Sequence, residues 1–201
     1  MAKETGARGR YKPLFACGGG FLVGALAGWL LASLIDADSR AAFSDFFVGY
    51  GSALSAGKGI PSLGKILWYS GKWPLFAFLL GFTALGVVMV PFLFALRGFF
   101  LSYCIAAMAH AMAGRGALFA LVLFGLEGLV SLPVLFVLGT QSWEAAGALG
   151  GRLVYAPKIK SPYSNGYWPR CLLCMIVLLL GTFAVNAAMP PLLRSLLAGS
   201  L

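Results

Sequence analysis

Glu127 is the residue on which chemistry would turn. It is the one acidic residue inside a clearly apolar run, near the middle of residues 117–139. An ionisable group at that depth of a membrane costs about 2.5–3.5 kcal/mol on the insertion scale. The same run holds fifteen Leu, Phe and Val residues, which together return about 5–9 kcal/mol. The helix can therefore carry the carboxyl, provided it gains a partner or stays neutral. Ser131 lies four residues on and shares its helix face; Arg97 and His110 are the other candidate partners. Such a group serves an ion or proton path, a polar lock between helices, or an ordinary hydrogen bond within a bundle.

The remaining reactive residues support little else. His110 is the only histidine, and a metal site would need further His, Cys or acidic ligands beside it. No metal and no cofactor is expected. Cys171 and Cys174 form a CxxC pattern, with Cys17 and Cys104 elsewhere in the chain. The residues between the pair are Leu172 and Leu173, and only Arg170 is positioned to lower their pKa. Cysteine used as a small apolar residue accounts for them better than redox chemistry. An intramembrane protease needs paired Asp, Ser with His, or a metal motif with several His, and one Glu with one His cannot supply these. No Gly-rich loop precedes a Lys-Ser/Thr pair, so a phosphate-binding loop is absent. No catalytic constellation emerges, and the expectation is a protein that is not an enzyme.

The elements that must position these residues are membrane helices. Of 201 residues, 60% are hydrophobic and 10% charged, and the mean hydropathy is +0.90. A soluble domain carries about 25% charged residues, so the apolar excess must face lipid. Disorder and a secreted disulfide scaffold are both excluded by this composition, the second because four Cys are too few. The net charge of +9 points to anionic headgroups and to the positive-inside bias rather than to nucleic acid. The basic patch Lys158-Ile159-Lys160 is read the same way.

The pattern predicts an all-α polytopic membrane bundle, a single integral membrane domain over 1–201 with about five spans. They are placed at about 14–35, 74–96, 99–113, 117–139 and 171–189. The third is short enough to be a re-entrant pair with its neighbour. Polar loops occupy 36–73 and 140–170. In the first loop Ser44 could cap a short helix carrying Phe46, Phe47 and Tyr50, ended by Gly57, Gly59 and Pro61. Gly114-Arg115-Gly116 makes a tight turn, and Pro190-Pro191 ends or kinks the last span. Nine Lys and Arg at one set of ends oppose six at the other. This favours a cytoplasmic N-terminus and an extracytoplasmic C-terminus. No internal repeat supports an inverted-repeat transporter.

In the first span small residues recur every four positions, Ala16, Gly20, Gly24, Gly28 and Ala32. They give the helix one smooth face where another backbone can approach, either of this chain or of a partner. Gly20, Gly24 and Gly28 are the expected helix-contact residues.

The stretch Leu79 to Ala106, LLGFTALGVVMVPFLFALRGFFLSYCIA, resembles the core of the stage II sporulation protein M family. That family carries a Gly-rich span with a late Pro, followed by a charged residue and Gly opening the next span. The matching positions are Gly81, Gly86, Pro91, Arg97 and Gly98. The helix with Glu127 and Leu132-Pro133 looks like the family's Pro-containing helix. The resemblance implies structural or contact roles for these residues, Pro133 included. It implies a non-catalytic membrane scaffold in endospore formation, recruiting peptidoglycan-degrading partners such as stage II sporulation proteins P and D during engulfment. Two surfaces could do so, the Ala16–Ala32 face and loop 36–73. The competing reading is a small transporter or channel subunit using Glu127.

Overall fold

A computed structural model describes residues 4–36, 38–39, 41–42, 45–46, 49, 63–111, 118, 120–155 and 167–198. Five long helices account for nearly all of them: α1 (Glu4–Ser33), α2 (Leu63–Leu80), α3 (Gly86–Ala111), α4 (Leu126–Tyr155) and α5 (Tyr167–Ala198). No strand occurs among the described residues. Four stretches are long and apolar enough to cross a membrane: Tyr11–Ser33, Gly86–His110, Leu121–Gly151 and Tyr167–Met189. Their outward faces are apolar and exposed, as at Leu22, Leu26, Leu129, Leu172 and Leu180. The protein is an all-α, multi-pass membrane bundle, and those side chains face lipid.

Helix directions follow from which residues meet. Gly20, Gly24 and Gly28 face Pro91, Ala95 and Phe99 in that order, so α1 and α3 run parallel. Trp73 meets Phe100 while Ala77 packs with Val90 and Phe94, so α2 is antiparallel to α3. Phe94 packs on Phe136 and Trp143 bonds Val87, so α4 is antiparallel to α3 as well. Gly181 faces Val130 and Cys171 faces Gln141, which reverses α5 against α4. The five helices therefore alternate in direction. The eighteen residues of α2 rise about 27 Å and return the chain between the parallel α1 and α3.

The break between the second and third helices lies at Gly81–Leu85, not at Arg97-Gly98. Amides of Gly81, Phe82 and Thr83 bond to carbonyls three residues back, and Thr83 Oγ1 adds a 3.0 Å bond to the Leu80 carbonyl. Gly81 lies against Ser142, and Gly86 against the Leu80 carbonyl and Ala146. A Cβ at either position would force the turn off α4. Residues 86–111 then form one continuous helix, so the expected spans 74–96 and 99–113 are replaced by α2 and α3. Among the described residues no re-entrant pair exists there. Gly98 is not a turn residue, because it receives the Phe21 carbonyl from α1. The expected loop 140–170 is helical as far as Tyr155, and residues 63–73 of the expected first loop belong to α2. Pro190-Pro191 lie inside α5, which continues to Ala198. The expectations for Ser44, Phe47, Tyr50, Gly57, Gly59, Pro61, Gly114–Gly116 and Lys158–Lys160 fall outside the described residues.

The core sits where α1, α2, α3 and α4 converge: Cys17, Ala77, Val90, Leu93, Phe94 and Leu135, flanked by Phe21, Phe136 and Trp143. Gly139 leaves room for the Phe94 ring. Pro91 has no N–H and so frees the Val87 carbonyl within α3. The Trp143 indole donates to that carbonyl at 2.9 Å, satisfying it where no water is available.

The small-residue face of α1 is filled. A methyl group at Gly20, Gly24 or Gly28 would run into the carbonyls of Pro91, Ala95 and Phe99. The face cannot receive a partner's helix, because α3 of the same chain already occupies it. Gly18 and Gly19 have nothing within 4 Å of such a methyl. Gly24→Leu is accordingly expected to destabilise the detergent-solubilised protein by at least about 3 kcal/mol, at the severe end of overpacking. Gly19→Leu should stay within about 0.5 kcal/mol. Thermal denaturation followed by size-exclusion chromatography distinguishes the two.

Candidate functional site

Four helices bring charge together in one place. Arg97 from the middle of α3, Glu127 from the first turn of α4, and Ser70, Lys72 and Trp73 from α2 line a cavity of about 680 Å³. The α5 residues Thr182, Val185, Asn186 and Met189 close it, one per turn or near it. All these positions lie in the half of the bundle remote from the Gly81–Leu85 turn. The volume is within the range of ordinary small-molecule sites.

Arg97 Nη2 stands 3.6 Å from Glu127 Oε1. It donates to Ser131 Oγ at 3.1 Å, and its guanidinium lies 5.6 Å from the centroid of Trp73. Ser70 Oγ donates to Glu127 Oε1 at 3.3 Å. Arg97 is the more enclosed of the pair, with 13% of its side chain exposed against 34% for Glu127. Level with Phe21 and Ala25 of α1, it lies near mid-membrane, where a lone guanidinium would be expelled. The pair, the indole face and two hydroxyls make it tolerable. Geometry at 3.6 Å is a charge contact rather than a bidentate clamp, so the guanidinium keeps donors to spare.

Lys72 supplies a second cation. Its Nζ sits 5.0 Å from the Tyr69 ring and 5.8 Å from the Trp73 ring, and no described acidic residue pairs with it. Two cations thus share the cavity with one carboxylate. A π-helical turn, Leu121–Gly125, immediately precedes α4 and carries Phe124 into the cavity wall. π turns insert an extra residue into a helix and recur at functional sites.

Of the two partners weighed for Glu127, Arg97 is the one beside it. His110 lines a separate cavity of about 400 Å³ between α1 and α3. The expected break between spans at Arg97 and Gly98 gives way to an ion pair for the first and a close helix contact for the second. Gly81 and Gly86 bound the α2–α3 turn, Pro91 creates the carbonyl that Trp143 fills, and Pro133 is exposed on the outer side of α4. Cys171 and Cys174 are free thiols, one helical turn apart on α5. Among the described residues no group of three or more His, Cys, Asp or Glu could hold a metal ion.

Sequence reasoning missed Ser70, Lys72, Trp73 and Asn186. Their signal was present as a Lys-Trp pair abutting Pro74 and as the sole Asn of the last apolar run. Both read more simply as headgroup-layer and packing residues.

A model of the stage II sporulation protein M family matches residues 19–189, from α1 through α5. No curated protein and no solved structure matches the chain.

Removing one member of the ion pair leaves the other uncompensated in a low-dielectric site. Arg97→Met and Glu127→Leu should each lower stability. The double variant should be less damaged than the two losses predict when added, with a coupling energy of about 1–3 kcal/mol. A double-mutant cycle of thermal unfolding in detergent measures it, and strict additivity would show that the two side chains do not act as a pair.

Proposed function

The chain belongs to the stage II sporulation protein M family, and from that membership we propose that it is a non-catalytic membrane scaffold. In this reading it holds peptidoglycan-degrading partners, of the kind represented by stage II sporulation proteins P and D, at the membrane during engulfment. The observation that carries the proposal is the extent of the family match, which runs over residues 19–189, from within α1 to within α5. The site agrees with it: the cavity offers an ion pair whose hydroxyl neighbours are already engaged, which suits holding and binding.

We take the sequence between α1 and α2 as the partner-docking segment, since the glycine face of α1 is occupied by α3. Tethering an enzyme next to its substrate raises its effective concentration without any new chemistry. We place the N-terminus in the cytoplasm. Among the described residues, with the helices alternating, Arg8, Arg10, Lys12, Arg152 and Arg170 fall at that end of the bundle. Lys65 and Arg194 fall towards the other, and Arg97 and Lys72 line the cavity. Five against two favours the end that carries α1's start. The end of α1 and the start of α2 then face the wall, where hydrolases work.

A second reading, a small transporter or channel subunit, is favoured by one observation, the charged cavity among α2–α5. In proteoliposomes it predicts a flux that Glu127→Gln abolishes.

Replacing residues 44–60 with a neutral linker is expected to abolish co-purification of wall hydrolases from sporulating cells, while the chain still accumulates in the membrane. Mass spectrometry of the tagged variant beside the wild type reads the result. Unchanged recovery of hydrolases would rule out this segment as the docking surface, and recovery of none with the wild type would count against the scaffold itself.

A further inference from the structure

We infer that the cavity among α2, α3, α4 and α5 is a binding site for an oxyanion of the phosphate type, held by Lys72 and Arg97. Three independent observations converge on it. The first is charge: Lys72 and Arg97 share the cavity with a single carboxylate, Glu127, so one positive charge is left over in a low-dielectric region. An anion entering there completes the neutralisation that Glu127 begins.

The second is hydrogen-bonding capacity. Arg97 carries five N–H donors, and among the described residues it makes one hydrogen bond, to Ser131. Lys72 is held only by the ring faces of Tyr69 and Trp73. Aromatic faces steady a cation without consuming its N–H groups. The cavity is therefore lined by unspent, charged donors beside one weakly aligned acceptor. A tetrahedral oxyanion with several acceptor oxygens matches that donor set.

The third is shape. The charged side chains share the cavity with apolar ones that include Phe100, Leu101 and Val185, and the π turn that precedes α4 brings Phe124 to the same wall. A phosphate carried on an apolar tail would use both sets of side chains, and a free phosphate only one. The shared chemistry is the oxyanion, and experiment separates its two sources.

The test uses the full chain purified in a neutral maltoside detergent and examined by native mass spectrometry. Phosphatidylglycerol is the anionic probe, phosphatidylcholine the zwitterionic control and inorganic phosphate the competitor. The wild type should retain phosphatidylglycerol in preference to phosphatidylcholine. Lys72→Gln should lower that retention about tenfold, the effect of losing one charge-assisted hydrogen bond. Lys65→Gln, an exposed cation of the same helix outside the cavity, should leave it unchanged. Val185→Trp narrows the cavity with all charges in place, and should lower retention in the same direction as Lys72→Gln even where that variant folds poorly. If inorganic phosphate displaces the lipid, or alone raises the melting temperature in a Lys72-dependent way, the free anion is the occupant. If it does neither, the occupant is the lipid headgroup. Retention of phosphatidylglycerol at the wild-type level in both cavity variants would overturn the site. So would equal retention of the two lipids with no stabilisation by phosphate.

Discussion

The contact of α1 with α3 governs the rest of the architecture. Three glycines at four-residue intervals let the backbone of α1 lie on the carbonyls of Pro91, Ala95 and Phe99, and Gly98 returns the favour to Phe21. Helices in lipid gain nothing from hiding apolar surface, so close packing of backbones is the available glue. Because the facing residues advance together, the two helices are parallel. Parallel neighbours in a membrane require a return crossing between them, and α2 has to supply it. The short, Lys-bearing α2 is thus in the bundle by topological necessity. Its lysine and tryptophan are carried into the interior with it.

That necessity places the polar site. Arg97 cannot leave the membrane, because Gly98 beside it is locked against α1. Its charge has to be met where it stands, and each surrounding helix contributes. α4 brings Glu127 and Ser131, and α2 brings Ser70 and the Trp73 ring. The cavity is what remains when four helices gather around a cation that packing has fixed.

Much of this was legible in the residues. Fold class, the need of Glu127 for a partner and the close-contact face of α1 follow from composition and from four-residue spacing, which act locally. The place of the α2–α3 break did not follow. Gly98 after Arg97 reads as a turn, and Gly81 inside a run of Leu and Phe reads as helix. Which of the two breaks the chain depends on what stands opposite, and that is Phe21 for one and Ser142 for the other. The site residues of α2 were hidden for a related reason. Lys72 and Trp73 have the chemistry of a headgroup layer, and only the depth at which α2 packs turns them into cavity walls. Pro91 was visible as a family-like feature. The indole that meets the Val87 carbonyl it frees, that of Trp143, lies 56 positions from Val87 on another helix and had no local signature.

The Trp143–Val87 bond bears on how the protein comes into being. α3 is synthesised before α4, and alone in the bilayer it would hold an unmet carbonyl at Val87 and a naked guanidinium at Arg97. Both remedies, the indole and the carboxylate, sit on the helix that follows. A membrane insertase releasing α3 by itself into lipid would release it at a cost of several kcal/mol. That cost favours release of the two helices together, as a hairpin, over release of α3 alone. Chains interrupted between residues 112 and 143 would leave α3 as a substrate for membrane quality control.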